Sequence, residues 1–303
     1  MNIAVIGANG FIGKHLSEIL SKDSRNNLFL FGRSAISNNT NLNAVYDCVD
    51  LKDKDGLVEK FKNIDIVYYL ASVSIPATTW NNPMEEIHKN LLPFLEFLEG
   101  LKETKCRKIV FVSSAGTIYG TTVGKVNENS NKLPFSPYGI IKLSMEHFLN
   151  YYQTKYDFYF DIYRVSNVYG IGQDVSKGLG VINIFLDNIY REGKVKVFGD
   201  GTNTRNYIYV EDVVKLMARS INSLNKSSIY NLSSNDTLSI NQLIDIMKEI
   251  LEQKFEVIYE EGRKSDNSFI DLDNSLIREE NPLFEFTNIE EGILATYYSI
   301  SKS

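Results

Sequence analysis

Apolar residues come in short blocks through the first half of the chain: NIAVIG (2–7), NLFLFG (27–32), NAVYD (43–47) and IDIVYYLA (64–71). Blocks of that length predict buried strands. Between and after them the apolar positions recur at helical spacing, over Phe11 to Ser21, over 84–101 (MEEIHKNLLPFLEFLEGL) and around Tyr138 to Tyr152. KIVFVSS (108–114) and YFDIYRVS (159–166) continue the strand series. Strands alternating with helices predict an α/β fold, a doubly wound parallel sheet joined by crossover helices. After Gly170 the pattern changes to a glycine-rich loop (170–180), a helix near 181–192 and short strands and helices to the end, which predicts a smaller C-terminal α/β lobe for substrate. The expected division is 1–170 with a return at about 204–222 for the first domain, and 171–203 with 223–303 for the second.

Composition narrows the function classes. With 43% hydrophobic and 23% charged residues, the 303-residue chain is neither disordered nor fibrous. A net charge of -6 repels a phosphate backbone, so nucleic acid is not an expected partner, and an anionic ligand must be met by local arginines or helix termini. The apolar runs are too short to span a bilayer and no basic leader precedes the first strand; no membrane association and a cytoplasmic location are expected. Cys48 and Cys106 read as reduced thiols. His15, His88 and His147 are dispersed without clustered carboxylates or cysteines, so no metal is expected.

GANGFIG places Gly7, Gly10 and Gly13 three apart, after a strand and at the opening of a helix, with Phe11 and Ile12 between the last two. Gly7 permits the tight turn, Gly10 lets backbone N–H groups approach a pyrophosphate, and Gly13 allows close helix-to-strand packing: a Rossmann-type dinucleotide fingerprint. An acidic residue at the end of the second strand would select NAD; the chain has Gly32, Arg33 and Ser34 there. Arginine beside serine suits a 2′-phosphate, which predicts NADP with NAD as the alternative. A solvent-facing loop arginine is the plainer reading. Asp50 and Leu51, after the third strand, either flank the adenine or, for Asp50, cap the next helix.

SSAGTIYG (113–120) closes the strand KIVFV with several hydroxyls, and SPYGIIK downstream sets Tyr138 and Lys142 four apart, on one helix face. A phenol needs a neighbouring cation to act as a base near neutral pH, and Lys142 supplies one. These motifs, with YYLASVSIPAT (68–78), YRVSNVYGIGQ (163–173), VFGDGTNTRNYIYVEDVV (197–214) and GRKSD (262–266), resemble the extended short-chain dehydrogenase/reductase family, in particular its nucleotide-sugar epimerases and dehydratases of the UDP-glucose and UDP-N-acetylglucosamine 4-epimerase type.

The resemblance implies roles. Tyr138 would be the acid/base and Lys142 its partner. Leu70, Ala71, Ser72, Asn90 and Ser113 would line the cofactor, and Ser74, Asn167, Phe198, Arg205, Arg263 and Asp266 the sugar nucleotide, a UDP- or dTDP-linked hexose. Asn90 reads equally as an exposed amide, Phe198 as packing, and Trp80 as a pocket wall or a core cap. The family's serine, four residues before the tyrosine of the YG pair, is Ala115 here. On an extended backbone Thr117 would point to the same side and replace it. The implied activity is 4-epimerisation through a transient 4-keto sugar, in polysaccharide biosynthesis. The alternative is NADPH-dependent reduction of a 4-keto-6-deoxy sugar. Dehydration is disfavoured because no Asp-Glu pair follows Ser114. A Ser-His-Asp hydrolase lacks its G-x-S-x-G elbow, and a cofactor sensor would not keep Tyr138 and Lys142. Apolar residues on more than one face of the 84–101 helix (Leu91, Leu92, Phe94, Leu95, Phe97, Leu98) predict a homodimer.

Overall fold

The computed structural model describes residues 1–33, 43–74, 82–122, 124–262 and 271–301. β1 (Asn2–Ile6), α1 (Phe11–Ser21), β2 (Asn27–Gly32), β3 (Ala44–Cys48), α2 (Lys54–Phe61) and β4 (Ile66–Tyr69) follow the apolar pattern. Asp53 starts α2 by accepting from the Gly56 N–H, while Asp50 accepts from the Lys52 N–H at 3.0 Å in the turn before it. Asp50 is therefore not the cap of this helix.

The helix expected over 84–101 is broken in three. α3 (Pro83–Glu86) passes into a π turn (Ile87–Leu91) and then α4 (Leu92–Leu101). Pro93 accounts for the break: it has no N–H for the carbonyl one turn back, and its ring crowds that carbonyl. The ladder widens by one residue ahead of it, so that the Leu92 N–H bonds the Ile87 carbonyl. β5 (Lys108–Ser114) leads into a single turn, α5 (Ala115–Ile118), then β6 (Lys125–Val126), α6 (Pro137–Tyr156), β7 (Tyr159–Val165) and β8 (Asn167–Tyr169). Ser136 caps α6 by accepting from the Gly139 N–H at 3.1 Å, Pro137 sits at the favoured first position, and Asp157 ends the helix at φ +57°. The chain continues through α7 (Val181–Glu192), β9 (Lys194–Phe198), β10 (Thr204–Tyr209), α8 (Val210–Ala218), β11 (Ser228–Leu232), β12 (Thr237–Ser239), α9 (Ile240–Ile250), β13 (Glu256–Glu260), β14 (Asp271–Leu272), α10 (Ser275–Glu280) and α11 (Ile289–Ile300).

The chain forms two compact units. The first comprises Met1–Ile118, Pro134–Arg164 and Val214–Tyr230; the second Tyr119–Leu133, Val165–Val213 and Asn231–Ser303. The expected boundary at 170 thus falls at 165, the return is 214–230 rather than 204–222, and 119–133 joins the second unit. The last assignment follows from pairing: β6 is two residues long and adds in parallel to β14, far along the chain, a contact no local pattern announces.

A seven-stranded sheet runs in the order β3-β2-β1-β4-β5-β7-β11, with β1 to β5 paired in parallel. The chain moves outward from β1 to β3 and returns on the other side of β1 as β4, so the C-terminal ends of β1 and β4 flank a topological switch point, where α/β sheets bind ligands. The first unit's core joins sheet and helices through aromatic packing: Phe31 stacks on Phe61 at 4.8 Å, and Tyr69 meets Phe94 edge-on at 4.9 Å. Each such ring contributes about 1.5–3 kcal/mol by leaving water. The second unit holds the sheets β12-β10-β8, β13-β9 and β14-β6. Its core is built around Phe185, Leu186, Ile189, Leu243, Met247 and Ile293.

Candidate active site

The glycine loop is shaped by backbone proximity. Gly7 has φ +89°, and a Cβ there would sit 3.0 Å from the Ala71 nitrogen and the Leu70 carbonyl carbon; at Gly13 it would lie 2.2 Å from the Gly7 carbonyl oxygen. The two strand ends at the switch point therefore approach main chain to main chain. Gly10 begins α1 without a side-chain cap, and Phe11, Ile12 and Gly13 occupy the first turn, where helix N–H groups lack intrahelical acceptors. On the other strand end the Leu70 N–H bonds the Ile6 carbonyl at 2.9 Å. Ser113, next to the end of β5, is buried, and its Oγ has no hydrogen-bond partner among the described residues. A tight uncapped loop facing a second strand end, with an unpartnered hydroxyl one strand over, fits a nicotinamide dinucleotide laid along the sheet edge. Arg33 is exposed just beyond β2; Asp50 is exposed and Leu51 half-buried after β3. Ser34, Trp80, Arg263 and Asp266 lie outside the described residues.

Tyr138 occupies the first turn of α6 and Lys142 the second. The Lys142 Nζ donates to the Val112 carbonyl at 3.0 Å and lies 4.9 Å from the Phe111 ring centre and 5.7 Å from that of Tyr138. The pair thus meets through the face of the phenol. Burial pushes the Tyr138 phenol up to about 12; a hydrogen bond with Ser72 lowers it and the Glu86 carboxylate raises it further. Burial draws Lys142 down to about 8, against the pull of Glu146 and Glu86. Near neutral pH the pair therefore rests as a phenol beside an ammonium ion.

Asn90 sits on the π turn and is buried, which rules out the exposed-amide reading. Its Oδ1 accepts from the Val73 N–H at 2.9 Å, and its Nδ2 donates to Ser74 Oγ at 2.7 Å and to Glu86 Oε2 at 3.1 Å. Ser74 Oγ in turn donates to Glu86 Oε2 at 2.7 Å. One narrow cleft is lined by Ala71, Ser72, Glu86, Asn90, Tyr138 and Lys142, with Ile141 and Met145 behind them. Glu86 and Glu146 belong to no motif of the sequence, although their spacing gives a signal: Glu86 stands four residues before Asn90, and Glu146 four after Lys142, each on the same helix face.

Thr117 does not stand on an extended backbone. Residues 115–118 form a helical turn, so the alternation of an extended strand does not apply. Thr117 Oγ1 is 3.5 Å from the Ser114 carbonyl, a weak contact, while Ala115 is fully buried. Another feature ties Thr117 to α6: a Cβ on Gly139 would lie 2.5 Å from the Thr117 carbonyl oxygen, so glycine lets the turn beside Tyr138 press against it.

In the second unit, Asn167 and Tyr207 are register partners on β8 and β10, and the Asn167 Nδ2 donates to the Asn206 carbonyl at 3.0 Å. Arg205, also on β10, is half-buried and donates to the Thr204 carbonyl at 2.8 Å. The buried Tyr207 hydroxyl has no partner among the described residues. Phe198 ends β9 and is exposed. Among the described residues no cluster of three or more His, Cys, Asp or Glu side chains could hold a metal ion, and no helix is long and apolar enough to cross a membrane.

The model of the NAD dependent epimerase/dehydratase family matches residues 3–233. A Methanocaldococcus jannaschii protein to which UDP-glucose 4-epimerase activity is ascribed is 34% identical over 275 residues, 89% of either chain. The UDP-glucose 4-epimerase of Thermotoga maritima, solved with UDP-glucose, superposes with a TM-score of 0.92 at 30% identity, covering 100% of this chain and 99% of the other. That of Thermus thermophilus, solved with NAD, gives 0.88 at 26% identity over 99% of both chains.

Proposed function

The chain belongs to the NAD-dependent epimerase/dehydratase family, and we propose that within it this protein is a nucleotide-sugar 4-epimerase. The observation that carries the reading is Tyr138 and Lys142 stacked on one face of α6, in the cleft that the end of β4 also lines. A bound nicotinamide dinucleotide supplies a reversible hydride acceptor and, when oxidised, a positive ring. The protein's own part is proton transfer and positioning. Tyr138 takes the proton of the sugar 4-hydroxyl and later returns it, and the Lys142 ammonium limits the cost of the intervening phenolate. Thr117 donates a hydrogen bond to the reacting oxygen in place of the serine absent at position 115. Asn167, Arg205 and Arg263 bind the diphosphate, Phe198 packs on the base, and Ser74 and Asp266 complete the sugar side; UDP-hexoses are the first substrates to try.

The NAD held by the Thermus protein makes NAD the first cofactor to test, with NADP(H) beside it because Arg33 stands where an acidic residue would select NAD. The working state in this reading is a homodimer in the cytoplasm. The deciding assay mixes the protein with UDP-glucose, UDP-galactose and their N-acetylated forms and follows both sugars and NAD(P)H absorbance. Interconversion without net change in absorbance is expected, lost in Tyr138→Phe and reduced in Thr117→Val. Steady NADPH oxidation with a 4-keto-6-deoxy sugar nucleotide, and no interconversion of any UDP-hexose, would replace this reading with the reductase.

A further inference from the structure

Glu86 is a buried carboxylate, 4% exposed, that the proton transfer above does not use. Among the described residues it forms no ion pair; its Oε2 accepts only from neutral donors, Ser74 Oγ and Asn90 Nδ2. Burying a carboxylate without a contacting cation costs several kcal/mol, and a neutral side chain could fill the same space. A charge held there can act on groups across the cleft. The two titratable groups there are Tyr138 and Lys142.

We propose that Glu86 is a positioning residue of this site: it ties Ser74 and Asn90 together beyond the end of β4, and its negative charge keeps Lys142 an ammonium ion beside the Tyr138 ring. This rests on the reading of Tyr138 and Lys142 given above. Glu146 also pulls Lys142 toward its charged form, ahead of Glu86, but it shares its charge with a contacting cation. On its own helix, Glu146 is engaged by the buried Arg164 of β7 at 2.7 Å. From β5, Lys108 is paired with Asp161 at 2.8 Å, and Lys142 meets only the Val112 carbonyl and the Phe111 ring. From α3 and the π turn, Glu85 is exposed and paired with Lys89, and His88 is exposed. α5 carries no titratable side chain. Glu146 and, after it, Glu86 both favour the protonated lysine that burial opposes; among the described residues Glu86 is the one of the two whose charge no cation in contact answers. Asn90 on the π turn and Ser74 after β4 both donate to one oxygen of the Glu86 carboxylate, Oε2.

The test is Glu86→Gln, which keeps an acceptor for Ser74 and Asn90 and removes only the charge, with Glu86→Asp as the charge-retaining control. Lysine carbon-13ε NMR of the cofactor-free protein, with Lys142→Arg assigning the signal, reads the titration of Lys142 directly. In Glu86→Gln it should move down by about half a unit or more, in Glu86→Asp by clearly less, and the alkaline limb of turnover should shift with it. An unmoved Lys142 titration in a folded Glu86→Gln protein overturns the proposal. If the glutamine variant does not fold, the aspartate variant decides: a Lys142 titration that drops despite the retained charge overturns it equally, and one near the parent's supports it. Because the NMR reading needs neither cofactor nor substrate, it stands apart from a failure of the epimerase assignment, which Tyr138→Phe with parent turnover would reveal.

Discussion

Replacing Lys142 by methionine should change how the stability of the cofactor-free protein depends on pH. Lys142 is drawn from its ordinary 10.5 to about 8 because the amine is buried in the cleft. A group with a depressed folded-state pKa binds fewer protons in the folded chain than in the unfolded one between those two values. Its contribution is therefore full above about 10.5 and is lost as pH falls through about 8. Working the two titrations through, the parent should gain about 2 kcal/mol on going from about pH 7 to about pH 9.5, a gain the methionine variant lacks. Other groups act in the opposite direction: burial lifts Cys106 from 9.0 to about 12 and Tyr138 from 10.0 to about 12, so both take stability away above their ordinary values, and buried tyrosines such as Tyr69 and Tyr207, common to both proteins, do the same. Cys106 is common to both proteins and cancels in the difference, and Tyr138 begins to act only above that range. Urea unfolding of parent and variant at several pH values, read by fluorescence, gives the gap directly. A gap that stays constant from neutral to alkaline pH would refute the claim that Lys142 is desolvated in the free site.

Three further outcomes are expected. Gly13→Ala should weaken dinucleotide binding by about tenfold or more while leaving the fold in place, because its Cβ would lie 2.2 Å from a backbone oxygen and an overpacked contact costs about 1–3 kcal/mol; parent affinity in a fluorescence titration would show that the loop is not the cradle. If Arg33 reads a 2′-phosphate, Arg33→Ala should lose NADP(H) affinity by about fivefold or more with NAD(H) unchanged, and equal affinities in the parent would end that reading. Light scattering should give twice the chain mass at micromolar concentration, since Ile87, Leu92, Ile140 and Tyr151 on the π turn, α4 and α6 remain exposed in the single chain; a monomer mass would refute the dimer.

Much of this protein is local, and what is local was legible in the sequence. The strands NLFLFG and KIVFVSS and the helices Phe11–Ser21 and Val181–Glu192 were marked by apolar periodicity, and the Gly7-Gly10-Gly13 and Tyr138-Lys142 spacings carried their geometry with them, because a tight turn and one helical step are set by residues close in the chain. The break in the 84–101 helix was also written there, in Pro93. Tertiary structure decided the rest. Only folding joined β6 to β14 and so moved 119–133 into the second unit, turned 115–118 into a helical turn that undid the extended-chain argument for Thr117, and buried Asn90 with Glu86 against Ser74. It also fixed the protonation of the central pair: spacing puts an amine near a phenol, but the positions of both titrations depend on how much water the surrounding strands and helices exclude and on which carboxylates they leave facing the cleft. Exclusion of water is a property of residues brought together from all along the chain, which no short stretch of sequence specifies.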